Sequence, residues 1–458
     1  MNFFHRIVDI YKVIKFIKER IYMDIKAFKA YRFNDDVVGN AGDCISPPYD
    51  IIDEDTQSAL YEKNQYNVAR IIKGKTSGSD TDDDNVYTRS AGYFNDWISK
   101  GALKADENDT IYAYVQHFNV GGEAITRSGF VALGKLAGFG EGVQPHEKTL
   151  DGPKADRLNL MRATGGQFGQ IFMLYDDPEK VADKIIDKAV RGNLLLSFTD
   201  EESVTHEIYG IDSDADIQAI RSMMADKSPV IADGHHRYET ALNYFNETKN
   251  PAAQYRMMTF VNMRNEGLVV LPTHRLVAGL KNFDIEDLVV RLGHQFEVNS
   301  YTFSGDEDKN TARDGMFTEL KDHFQKGEIA FGIYAADNVF YVAALKDTAA
   351  MDKVCPEMSD AAKKLDVNVL HKIVLEDILG IGDKELAGES NIKYIKDIGN
   401  AIERSIEKVD SKESQAVFFM NPTRVDQVRD VAAENEKMPQ KSTFFYPKIF
   451  TGLVINKL

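Results

Sequence analysis

Apolar and polar positions along the chain alternate between two periods, and the switches outline its elements. "TIYAYVQHF", "GGEA" and "ITRSGFVALGKL", between 105 and 137, predict a β-hairpin closed by a Gly-Gly turn. "GQFGQIFMLYDD" (166–177) and "YRMMTFVNM" (255–263) predict further strands, and "DPEKVADKIIDKAV" (177–190) carries apolar residues at helical spacing. In "SPVIADGHHRYETALNYFNE", Pro229 to Ala232 predicts a short apolar strand and Asp233-Gly234 a turn. Tyr238, Ala241, Leu242 and Phe245 then fall at i, i+3, i+4 and i+7, one stripe of a helix. From about 281, "NTARDGMFTELKDHF" and "IAFGIYAADNVFYVAAL" predict a separate C-terminal unit. Strands and helices mix without strict alternation, so the expected class is α+β, or mixed α/β.

No internal repeat is visible. "KTSGSDTDDDN" (75–85) predicts an acidic surface loop. The expected organisation is a basic amphipathic extension at 1–22, an N-terminal α/β region at 23–140, a central region at 141–280 and a C-terminal α/β region at 281–458. The extension carries five Lys/Arg against two acids, with Ile7, Ile10, Ile14, Ile17 and Ile21 at helical spacing. Its charges interrupt the apolar core that a signal peptide needs. Met23 opens "MDIKAFKAYRFND" like a natural start, so the extension is expected to be a start-site artefact.

Composition narrows the function classes. A chain of 458 residues predicts two or three domains. With 43% hydrophobic and 10% aromatic residues it is an ordinary globular sequence, which sets disorder aside. A formal net charge of -17 argues against nucleic-acid binding, which needs a basic face. Cys44 and Cys355 stand far apart without C-x-x-C spacing, which excludes a disulfide scaffold and a structural zinc and fits a reducing cytoplasm. No segment reaches the roughly 18 uninterrupted apolar residues of a membrane span.

Against that acidic background the basic clusters stand out. His235, His236 and Arg237 fall on the first turn of the predicted helix, where backbone N–H groups and the positive end of the helix dipole favour an anion, phosphate above all. Adjacent histidines diverge on a helix and do not readily share one metal. In "GVQPHEKTLDGPKADRLNLMRATGGQFGQIF" (142–172), His146, Glu147, Lys148 and Thr149 precede Lys154, Arg157 and Arg162. Glu147 is the best single candidate for a general base or for a magnesium ligand; a solvated charged helix is the alternative, and for Lys154 alone the better reading. Gly165-Gly166 lacks the P-loop pattern. "NMRNEGLVVLPTHRL" (262–276) supplies His274-Arg275, and "MPQKSTFFYPKIFTGL" (438–453) supplies Lys441, Ser442, Thr443 and Lys448 as supporting or substrate-binding candidates. There is no G-x-S-x-G, no catalytic cysteine pattern and no G-x-G-x-x-G after a strand.

The blocks "SPPYDIID", "QPHEKTLDGPKADRLNLMRAT", "IADGHHRYETALNY", "LPTHRL", "LDVNVLHKIVL" and "MPQKSTFFYPKIFTGL" resemble the large prokaryotic family known as domain of unknown function 1015. The G-H-H-R turn is similar to that of the ParB/sulfiredoxin-like superfamily, which includes free-serine kinases. The resemblance implies a phosphate-binding core in which Gly234, His235, His236 and Arg237 hold phosphate, joined by His146, Lys148 and Arg157. It implies that Asp233 orients a hydroxyl or a magnesium ion, that Glu147 acts as base, and that ADP or ATP is the cofactor. The implied activity is phosphoryl transfer on a small hydroxy compound, with serine and O-phosphoserine the favoured pair and His236 in the catalytic set. Two alternatives stay open: a nucleotide- or metabolite-binding regulator without turnover, and a metal-dependent hydrolase using His146, His235 and His236.

Overall fold

The computed structural model describes residues 23–145, 152–382, 385–386, 388, 390–434 and 436–458, and it is mixed α/β. It divides into two compact units. The first takes in the described residues up to Pro145, those from 152 to Val269, and Pro447–Leu458; the second runs Val270–Tyr446. Residues 23–140 and nearly all of the described part of 141–280 therefore share one unit.

Among the described residues, nine strands make the first unit's main sheet: β1 (Ile25–Lys26), β2 (Ile111–Val120), β3 (Glu123–Lys135), β4 (Gln144–Pro145), β5 (Ile171–Tyr175), β6 (Leu194–Thr199), β7 (Thr205–Ile211), β8 (Val230–Asp233) and β9 (Tyr255–Asn262). Their order is β4-β8-β5-β9-β3-β2-β7-β6, with β1 beside β3. The β5–β9 and β4–β8 pairs are parallel and the others antiparallel. The hairpin expected from the Gly-Gly turn is β2–β3, whose last pair is Val120↔Glu123. Gly121 and Gly122 both take positive φ (59° and 85°), the twist a two-residue hairpin turn requires.

Every residue of β9 is buried, and β5 and β3 flank it in the sheet. Phe130 of β3 stacks on Phe260 of β9 with ring centroids 5.1 Å apart. Helices α1 (Val86–Ser99), α2 (Gly152–Thr164), α3 (Val181–Ala189), α4 (Asp214–Met224) and α5 (His235–Thr248) are among those of the unit. Tyr238 and Ala241 of α5 enter the same core as Ile231 and Met173, with Leu242 and Phe245 packed against it. This is the stripe the helical spacing predicts.

The C-terminal segment Pro447–Leu458 belongs to this unit through backbone pairing. Asn456 pairs with Gln167 and Lys457 with Gly166, Tyr31 N donates to Ile455 O (2.8 Å), and Thr451 N donates to Ser46 O (2.8 Å).

The second unit carries an antiparallel sheet of six strands among the described residues: β10 (Thr273–Val277), β11 (Phe296–Thr302), β12 (Ala330–Tyr334), β13 (Val339–Leu345), β14 (Ile392–Lys396) and β15 (Ala416–Met420), ordered β11-β13-β12-β15-β10-β14. Helix α6 (Asp306–Lys326) lays Ala312, Met316 and Leu320, one turn apart, onto Phe340 and Phe419 of this sheet. Cys44 and Cys355 are both buried and are not joined in a disulfide. Among the described residues no helix is long and apolar enough to cross a membrane.

Candidate functional site

The site is built where β8 turns into α5. Gly234 makes the turn at φ 96°, and a Cβ there would stand 3.0 Å from Arg237 Nε. Only glycine supplies both that backbone conformation and that space. His235, His236 and Arg237 occupy the first helical turn, as expected; His235 and Arg237 are buried and His236 is half-buried. The helix ladder begins with Tyr238 N donating to Gly234 O (2.9 Å), which places the backbone N–H groups of His235, His236 and Arg237 at the helix N-terminus.

Asp233, the last residue of β8, is held between two cations. Lys448 Nζ donates to its Oδ2 at 2.6 Å, and Arg237 Nη2 stands 3.4 Å from its Oδ1. Burial pushes the carboxyl pKa upward, but the charges of Lys448, Arg237 and His235 outweigh it and hold the group well below the usual carboxylate range. Arg237 also donates through Nη1 to Gln170 O, which fixes both ends of its guanidinium.

Lys448 is in turn fixed through its backbone. Gln116 Nε2 donates to Lys448 O (3.0 Å), and Arg127 Nη2 donates to Pro447 O. Arg127, 1% exposed, also donates through Nε to Gln116 Oε1 (3.0 Å) and lies 5.0 Å from the Phe172 ring centroid. Beside them His206 is wholly buried, with Nδ1 2.7 Å from Tyr114 Oη and Nε2 3.0 Å from Asp200 Oδ2. Its ring packs 4.5 Å from that of Phe450.

Burial lowers the His206 pKa more than Asp200 raises it. In the second unit His371 is lowered by burial as well, further displaced by Arg275 and Lys372. Both are depressed bases, so the unfolded chain takes up their protons first. Stability from these two groups is present above the ordinary histidine range and is lost as pH falls through it. We therefore expect the urea midpoint of unfolding to drop between about pH 7 and about pH 5. A midpoint flat across that window would contradict the buried, neutral assignment.

Next to the turn lies a half-open cleft of about 50 Å³, lined among others by Tyr49, Arg157, Gly169, Arg237, Arg256 and Thr451. Arg157 caps it, with its guanidinium 4.0 Å from the Tyr49 ring centroid and a salt bridge to Asp156 (2.5 Å). Arg256 is 4% exposed; its Nη2 donates to Gly169 O (2.7 Å), while Nε and Nη1 have no hydrogen-bond partner among the described residues. Burial and then Arg237 lower its pKa to about 9, which still leaves it cationic at neutral pH.

The structure thus gathers Asp233, Gly234, His235, His236, Arg237, Arg157 and Lys448 in one unit. His146, Glu147 and Lys148 lie outside the described residues. His274, Arg275, Lys441, Ser442 and Thr443 belong to the second unit. There, Arg275 is buried in β10, with Nη2 donating to Lys441 O (3.1 Å), Nη1 donating to Thr273 O and Nε without a partner among the described residues. Ser442 Oγ donates to Pro439 O (2.6 Å). Among the described residues no group of three or more His, Cys, Asp or Glu is placed to hold a metal ion. Sequence reasoning did not single out Arg256, Arg127, Gln116 or Tyr49. Arg256 lies in the run "YRMMTFVNM", which predicts only a strand.

The sequence model of DUF1015, described as a protein of unknown function, matches residues 25–368. A comparison with curated proteins finds no match. Solved structures with some likeness include a free serine kinase in complex with AMP, at 15% identity and TM-score 0.30, covering 66% of this chain and 83% of that one. A conserved hypothetical protein from Pyrococcus furiosus aligns at 15% identity and TM-score 0.32, over 68% of this chain and 89% of that one. SbnI with a C-terminal truncation, from Staphylococcus aureus, aligns at 9% identity and TM-score 0.31, over 69% and 84%. Likeness at this level carries no inference about ligand or reaction.

Proposed function

The chain belongs to the DUF1015 family, and on that premise we propose that it transfers a phosphoryl group between an adenine nucleotide and a small hydroxy compound, with serine and O-phosphoserine the favoured pair. The observation that carries the reading is Asp233, clamped between Lys448 and Arg237 at the N-terminus of α5. A carboxylate spent on orienting two cations at a helix N-terminus suits a site for a more highly charged oxyanion. Phosphoryl transfer asks for such positioning and charge neutralisation more than for a covalent nucleophile.

In this reading the first-turn amides, His235, His236 and Arg237 hold the transferring phosphate. Lys448, kept in place by Asp233, adds charge at the same point. Glu147 takes the proton of the acceptor hydroxyl as its oxygen bonds to phosphorus. The bond from phosphorus to the bridging oxygen breaks, and its electron pair leaves with the nucleotide. Both oxygens of Asp233 already face cations, so a magnesium ion does not fit there, and no step is assigned to it.

Phosphorus NMR with ADP, ATP or AMP and either serine or O-phosphoserine tests the reading. New phosphate resonances should depend on both partners. Glu147→Gln should keep nucleotide binding and lose turnover. Nucleotide resonances that broaden without any product would replace the enzyme reading with a binding regulator.

A further inference from the structure

Arg256 is a buried cation in a cleft whose lining, among the described residues, includes no carboxylate. Among the described residues its Nη2 bonds to Gly169 O, and Nε and Nη1 find no partner. Arg237 is close enough to lower its pKa further, and the Asp233 carboxylate is engaged by Arg237 and Lys448. Burying an unpaired charge costs several kcal/mol as a rough guide, and a folded protein keeps such a group when something compensates it. The cleft is also kept open. A Cβ on Gly169 would come to 3.1 Å from Thr451 Oγ1 and 3.4 Å from Arg237 Nη1. A volume of about 50 Å³ suits a small tetrahedral or planar oxyanion and is too small for a nucleoside.

We propose that this cleft is a receiving site for a small oxyanion, a phosphate or a carboxylate, held by Arg256 and Arg237 with Arg157, Tyr49 and Thr451 at its rim. Resting on the phosphoryl-transfer reading, it deepens that reading by giving the acceptor's own anionic group a place separate from the nucleotide. Either source meets the same donors: the carboxylate shared by serine and O-phosphoserine, or a free phosphate.

The test is calorimetry and thermal unfolding on the whole protein without nucleotide, using inorganic phosphate and glycolate as separate probes against chloride at matched ionic strength. At least one probe should bind and raise Tm; phosphate alone identifies a phosphate site, and glycolate alone a carboxylate site. Arg256→Met should weaken that binding by at least about tenfold, the loss expected for a charge-assisted contact. The same substitution should leave the ligand-free Tm equal or higher, because it removes a buried charge. A purely structural arginine would instead lower Tm when replaced. Gly169→Ala, which fills the cleft and keeps every charge, should also block the probe. Binding of neither probe, or binding unchanged in both variants, would overturn the proposal. Probe binding with no turnover would overturn the transfer reading and leave this one standing; turnover with an unaltered Arg256→Met variant would do the reverse.

Discussion

Replacing Asp233 by Asn is expected to lower folding stability by about 2–3 kcal/mol at neutral pH, the cost of removing one partner from a largely buried ion pair. The side chain keeps its shape and loses its charge. Lys448 and Arg237 are then left as neighbouring cations with their shared counter-charge gone, and Arg256 stands close to Arg237. The carboxyl is held below its ordinary range in the fold, so its contribution is complete above the ordinary aspartate range. That contribution is lost as pH falls through it. The gap between wild type and variant should therefore be full at pH 7 and shrink below about pH 4. Urea unfolding of both proteins across that range measures it. Equal stabilities at pH 7 would mean that the clamp is formed weakly or compensated elsewhere.

Arg237→Met should lower kcat/KM by about 10²–10³, the loss typical of deleting one fixed donor from a transition-state oxyanion. Arg237 is tied at both ends, to Gln170 O and to Asp233. Its orientation is thus set before any ligand arrives, and little entropy remains to be lost on binding. Arg237→Lys should recover only part of the loss, because an ammonium keeps the charge and cannot serve both anchors at once. Steady-state kinetics on the pair, with nucleotide affinity measured in parallel, separates binding from turnover. Unchanged kcat/KM in the Met variant would remove Arg237 from the site.

The parts of this site that the sequence disclosed are those whose logic is local. Strand, turn and helix at Pro229 to Phe245 follow one another without interruption, so periodicity and one glycine were enough to place His235, His236 and Arg237. The β2–β3 hairpin was readable for the same reason. Lys448 was recognised as a cation near hydroxyls, but its partner Asp233 is 215 residues away. Only the return of Pro447–Leu458 to the first unit joins them, and no spacing rule contains that step. Arg256 was hidden by its strand: every residue of β9 is buried, so there is no alternation against which a buried cation stands out. Gln116 and Arg127 sit in the hairpin strands, where polar residues are ordinarily read as solvent-facing. Here they turn inward because a buried backbone segment needs donors.

The most direct measurement is amide NMR of the isotope-labelled protein titrated with ADP. The account predicts that the backbone N–H signals of His235, His236 and Arg237 shift strongly and together, and that Arg237→Met abolishes the response. Shifts confined to residues away from the β8–α5 turn, or none at saturating nucleotide, would contradict a phosphate held at that helix.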